Sequence, residues 1–120
     1  MNGKIQQGQV WWLDLGIPFG SEPGYQRPFV VAQNNLFNRS RLQTVVMCAV
    51  TTNLRLVDAP GNVLLAAGEA ELRETSVVNV SQLVTVDRRR LVQKIGDLPG
   101  PKMQAVLDGL NLLLNPRGGG

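Results

Sequence analysis

Residues 16–34 read GIPFGSEPGYQRPFVVAQN, and the two halves of this stretch obey different rules. The first half holds Pro18, Gly20, Pro23 and Gly24. Proline lacks a backbone donor and glycine carries a high entropic cost, so neither helix nor strand is expected there. The second half, Phe29-Val30-Val31-Ala32, is a short apolar run behind Pro28, a residue suited to the first position of a strand. The stretch therefore predicts a mobile loop over 16–26 that feeds a buried strand. Loops of that length in small domains commonly carry function. Arg27 stands at the junction as a permanent cation, while Glu22 and Tyr25 ride on the loop.

On the N-terminal side, Gln9–Leu15 (QVWWLDL) reads as the opening strand, with Trp11, Leu13 and Leu15 on one face and Val10, Trp12 and Asp14 on the other. For both tryptophans core packing is favoured over base stacking, because large aromatics dominate small cores. On the C-terminal side, residues 34–40 form a polar connection or a single helical turn carrying Arg39, with Arg41 just beyond. Gln43–Val50 (QTVVMCAV) is apolar almost throughout and predicts a central strand covered on both faces, ending at Thr51-Thr52-Asn53. Further strands are expected over 62–67, 76–80, 83–87 and 91–95, with an acidic turn at 69–74 and a solvated Arg88-Arg89-Arg90 turn. The period then changes. Met103, Val106, Leu107, Leu110, Leu113 and Leu114 make one apolar helical face behind Pro101, and Asn115-Pro116 stops the helix. Gly109 inside that helix costs about 1 kcal/mol against alanine, which points to a second backbone packed closely upon it. Many short strands with frequent turns predict a mainly β, small and strongly curved sheet or barrel with a C-terminal helix. Residues 1–115 are expected to be a single domain and 116–120 a disordered tail.

Composition narrows the chemistry. The chain has 120 residues, twelve Lys and Arg against nine Asp and Glu, a net charge of +3 and no histidine. The commonest general base, the usual metal ligand and every imidazole-based triad are therefore absent. Cys48 is the one cysteine, which excludes an intrachain disulfide, makes a zinc site unsuitable and fits a reducing cytoplasm. No run reaches membrane-spanning length and the first residues lack a signal-peptide core. No metal or other cofactor and no membrane partner are expected.

Taken in order, GQVWWLDL, GSEPGYQRPFVVAQN, FNRS, VVMCAVTTN, ETSVVNVSQLVTVDRRRL and KIGDLP resemble the MazF/PemK family of bacterial toxin endoribonucleases over about residues 8–114. The resemblance implies a PemK/CcdB-type, strongly twisted β-barrel-like sheet, a homodimer, and cleavage of single-stranded RNA at short sequences without a metal. It implies that Arg27 matches the catalytic arginine and Thr51 the catalytic threonine. Glu22 matches the loop glutamate beside the site, and Gln33 and Asn34 match polar positions near the substrate groove. Tyr25 and Thr52 complete the expected substrate-binding set. A cognate acidic antitoxin, whose disordered tail folds over the Arg27 groove, is the implied protein partner.

This chemistry suits a chain without histidine. RNA brings its own nucleophile, the 2′-hydroxyl, so the protein has only to align it and stabilise charge. A guanidinium offers paired donors to the nonbridging oxygens of the transition state, and a threonine hydroxyl can add one more. The proton acceptor stays open among Glu22, an ordered water and Arg27 itself. Two other functions compete. The first is a non-enzymatic gyrase poison of the CcdB type, which uses an aromatic C-terminal end that NPRGGG lacks. The second is a nucleic-acid-binding barrel without activity.

Overall fold

Neither face of Thr44–Thr51 (β3) can be left to water: Val45, Met47 and Ala49 alternate with Cys48 and Val50, and all five are buried. In the computed structural model, which describes residues 4–16 and 26–115, β3 lies inside a six-stranded sheet. Gln26–Val31 (β2) pairs with it on one side and Ser76–Asp87 (β5) on the other. Gln9–Asp14 (β1) flanks β2, Leu91–Asp97 (β6) flanks β1, and Val63–Leu65 (β4) flanks β5. The order is β4-β5-β3-β2-β1-β6 with every pairing antiparallel. Asn35–Asn38 forms a short helix (α1), and Gly100–Leu114 forms the long C-terminal one (α2). Among the described residues no helix is long and apolar enough to cross a membrane.

Alternation along the strands builds two cores, one on each face. Val10, Val30, Cys48, Val50, Val78 and Val80 meet Met103, Val106 and Leu110 of α2 on one side. Trp11, Leu13, Phe29, Val31, Val45, Met47 and Ala49 fill the other, closed by Val84, Val86 and Leu91 as the sheet curls. The curl has a visible cause. β5 is one continuous strand where two short ones were expected, but its register against β3 jumps from Cys48↔Leu83 to Ala49↔Asn79. Such a bulge bends a strand and increases its twist.

Three expectations need correction. Pro28 does not open its strand: β2 begins at Gln26, and Pro28 pairs with Trp12 in its interior. The tryptophans part company, since Trp11 is buried and donates Nε1–H to Gln9 Oε1 at 2.9 Å, whereas Trp12 is 36% exposed. Leu113 and Leu114 lie on the exposed end of α2, not in the core. The close backbone approach expected at Gly109 is present and is intrachain. A Cβ built there would stand 2.1 Å from the carbonyl oxygen of Gly61, a turn residue at φ 77°.

Candidate active site

The site arises where the pairing of β2 and β3 stops. Their ladder runs Val31↔Met47, Val30↔Cys48, Phe29↔Ala49 and goes no further. Pro28 has no N–H to extend it. β2 nevertheless stays paired with β1 as far as Asp14↔Gln26, and β3 stays paired with β5 as far as Thr51↔Val77, so the sheet parts between β2 and β3. Continued by two residues, the same register would set Arg27 opposite Thr51. Alternation puts both on the face of Phe29 and Ala49, one step beyond the core. Arg27 and Thr51 are both half-buried at this rim.

The divergence opens a cleft of about 550 Å³ that both residues line. Trp12, Pro28, Val50, Leu72 and Ile95 supply apolar walls, and Gln26, Thr52, Ser76 and Gln93 supply neutral polar groups. Glu71, Arg73 and Glu74 close the far side. Thr51 Oγ1 accepts the backbone N–H of Asn53 at 3.1 Å, which leaves its own O–H proton available to a ligand. By the same alternation Trp12, Pro28 and Val50 face the α2 side, so the cleft wraps the strand ends: a planar base can lie against Trp12 and Pro28, with a phosphate at the edge that Arg27 and Thr51 line.

The far wall is held by unusual backbone. Ala70 and Glu71 have φ of 53° and 59°, the left-handed region that side-chain-bearing residues seldom enter. Leu72 N–H donates to Glu69 O, Gly68 N–H donates to Leu72 O, and Ala66 N–H donates to Glu69 Oε1 at 2.7 Å. The Ala70 carbonyl passes so close to β6 that a Cβ at Gly96 would stand 2.2 Å from its oxygen. Strained backbone of this sort is found where a site dictates position.

Of the seven site residues expected from sequence, the structure brings Arg27, Thr51 and Thr52 together. Glu22 and Tyr25 lie outside the described residues. Gln33 and Asn34 are elsewhere, at the opposite end of the sheet beside α1. Gln33 is buried: its Nε2 donates to Asn38 Oδ1 at 2.9 Å and to Thr44 O at 3.2 Å, and its Oε1 accepts Val46 N–H. Asn34 caps α1 by accepting Leu36 N–H at 2.8 Å. Sequence reasoning favoured the core over base stacking for Trp12 and missed the 71–74 wall. The signal for Trp12 was its place in the alternation beside exposed Asp14. The wall carried none, because left-handed alanine and glutamate leave no mark in a sequence. Among the described residues no three of His, Cys, Asp and Glu gather where they could hold a metal ion.

Known proteins agree with this architecture. The chain is 40% identical over 111 residues to endoribonuclease MazF2 of Mycobacterium bovis, covering 92% of this chain and 97% of that one. It is 32% identical over 110 residues to endoribonuclease EndoA of Bacillus subtilis, covering 92% and 94%. In fold it is similar to a mycobacterial endoribonuclease solved in complex with its cognate antitoxin, with a TM-score of 0.76, 24% identity and 93% and 96% coverage. The MazE–MazF structure from Deinococcus radiodurans superposes with a TM-score of 0.74 at 22% identity, covering 95% and 98%. The family model for PemK-like, MazF-like toxins of type II toxin–antitoxin systems matches residues 6–114, and the chain belongs to that family.

Proposed function

We propose that this protein is the toxin of a toxin–antitoxin pair and acts as a sequence-specific endoribonuclease on single-stranded RNA. The observation that carries the reading is the register that brings Arg27 and Thr51 to one cleft in a chain of this family. The substrate's 2′-hydroxyl attacks the adjacent phosphorus, the P–O5′ bond breaks, and the proton lost from the 2′-oxygen is balanced by one gained at the leaving 5′-oxygen. The products carry a 2′,3′-cyclic phosphate and a 5′-hydroxyl. Arg27 donates paired hydrogen bonds to the nonbridging oxygens, and Thr51 O–H adds one neutral bond. No step requires a metal ion. In this reading Trp12 and the 71–74 wall, which line the same cleft, contact the flanking bases.

The partners in this reading are RNA, an acidic antitoxin and a second copy of the chain. Leu112, Leu113 and Leu114 are 49%, 45% and 65% exposed at the end of α2, apolar surface that a second copy would cover. Sedimentation at micromolar concentration should give a dimer, and monomer alone would refute it. The gyrase alternative has less support, since the relatives that match this chain are named as endoribonucleases.

The deciding experiment is a single-turnover assay on a short RNA beside the same strand with one deoxynucleotide 5′ to the scissile phosphate. The deoxy strand should bind nearly as well and stay whole. Arg27→Ala should fold and lose about 10²–10³-fold in rate, the scale of one transition-state donor. Cleavage of the deoxy strand, or an unimpaired Arg27→Ala, would overturn the mechanism.

A further inference from the structure

The arginines of the 88–90 turn and those around α1 form one surface, although 46 residues separate Arg88 from Leu42. Arg88 Nε donates to Leu42 O at 2.7 Å, its Nη2 donates to Asn38 O at 2.6 Å, and its backbone N–H donates to Gln43 O at 2.9 Å. Arg39 and Arg41 occupy the loop so stitched, both exposed, and among the described residues neither side chain makes a hydrogen bond or ion pair. Arg89 is exposed and grips Asp87, whose carboxyl it holds down to about 2. Arg90 Nη1 reaches Asp14 O at 3.5 Å. Phe37, 52% exposed, stands within the same loop.

Charge is concentrated here. These two segments hold five arginines and one aspartate, net +4, while the remaining seven basic and eight acidic residues of the chain sum to −1. The loop is also rigid. The buried Gln33–Asn38 amide pair fixes it from beneath, Asn38 Nδ2 donates to Gln33 O and Asn35 Oδ1, and Ser40 Oγ donates to Phe37 O. Finally, the surface reaches the cleft. Leu91 pairs with Leu13, which pairs with Arg27, so Leu91, the residue that follows Arg90, stands about 10 Å from Arg27, two strand spacings away.

We propose that Arg90, Arg89, Arg41 and Arg39, with Phe37, form a track for the single-stranded RNA that extends beyond the cleavage cleft. Clustered guanidinium groups beside one exposed aromatic are the means by which proteins hold single strands without reading them: phosphates meet arginines and a base stacks on the ring. An acidic peptide would use the charges but has less use for the ring, so RNA is the better fit. Gln33 and Asn34 thereby gain a link to substrate, not by touching it but by building the loop that does. The proposal rests on RNA being the substrate of the Arg27 cleft.

The test is fluorescence anisotropy with a mixed-sequence 20-nucleotide 2′-O-methyl RNA, which cannot be cut, titrated across salt concentrations. R39Q/R41Q removes two exposed side chains that bond none of the described residues, so it should fold as wild type. Its affinity should drop about tenfold or more, and the slope of log K against log salt should shrink by about 1.4, or 0.7 for each lost phosphate contact. Phe37→Ala should weaken binding about tenfold with the slope unchanged. Unchanged affinity and slope in R39Q/R41Q would overturn the track, as would a loss confined to a poly-glutamate peptide, or no RNA binding by wild type. A wild type that binds this RNA through the track yet leaves the unmodified strand of the same sequence whole would instead overturn the nuclease reading alone.

Discussion

Gly109→Ala separates packing from propensity, because the two predict opposite signs. Gly109 lies deep within α2, where alanine is favoured over glycine by about 1 kcal/mol. Propensity alone therefore predicts stabilisation. The structure predicts the reverse. The new methyl would stand 2.1 Å from Gly61 O and 2.9 Å from its carbonyl carbon, so helix and turn must part by about 1 Å. The turn cannot simply rotate away, since Gly61 sits at φ 77° and Asn62 beside it is anchored. Asn62 Nδ2 donates to Leu56 O at 2.9 Å and its Oδ1 accepts Val80 N–H at 2.9 Å. Overpacking of this kind costs about 3 kcal/mol at the upper end of its usual range. Less the propensity gain, the net loss is about 2 kcal/mol, or about 6–12 °C in Tm for a domain of this size. Thermal and urea denaturation followed by circular dichroism, at one concentration and with the oligomeric state checked, measures it. Gly100→Ala is the control, because a Cβ there meets nothing within 4 Å. It should be neutral or slightly stabilising. A Gly109→Ala variant as stable as wild type would show that α2 does not rest on the Gly61 turn.

Other outcomes follow from the site and the core. Arg27→Lys should recover only part of the rate lost in Arg27→Ala, since an ammonium keeps the charge without the fork, and single-turnover kinetics read this directly. Thr51→Ala should lose about tenfold, the worth of one neutral hydrogen bond, and a loss equal to that of Arg27→Ala would give Thr51 a larger role. Cleavage should proceed unchanged in excess EDTA, whereas loss on chelation restored by a divalent ion would refute the scheme. Burial pushes the Cys48 thiol from its ordinary 9.0 up to about 12, so it should resist thiol reagents in the native state and react once denatured. Above pH 9.0 the unfolded chain releases a proton that the folded chain keeps until about 12. Stability should therefore fall with rising pH across that window, by about 1.4 kcal/mol per unit, and Cys48→Val should remove this component.

Much of the architecture was legible because burial writes itself into sequence. QTVVMCAV could only be a strand covered on both faces, and Met103, Val106 and Leu110 could only be the inward stripe of a helix. What was hidden depends on partners distant in sequence. Gly109 announced a close approach, but nothing named Gly61 as the backbone it meets. The left-handed Ala70-Glu71 turn looked like an ordinary acidic surface, and only its passage over Gly96 makes it a wall of the cleft. Gln33 and Asn34 were placed near the groove by resemblance, while their hydrogen bonds serve α1 and its loop.

The position of the site follows from the rule that builds the core. Along β2 and β3 both faces are buried, so a charge inside either strand would lose its water with no compensation. A cation can stand on β2 only where pairing with β3 has ended and the core has not begun. Phe29 is the last residue in the ladder and Pro28 cannot prolong it, so Arg27 is the first position that meets this condition. The matching position on β3, by the same register, is Thr51, whose hydroxyl tolerates half-burial and whose backbone is about to leave the sheet for the Leu54–Asp58 turn. The two residues are thus fixed by a shared boundary rather than by contact in sequence. On the proposed mechanism, a transition state placed there would gain from both: apolar walls that raise the worth of each hydrogen bond, and an open rim through which RNA would enter and leave.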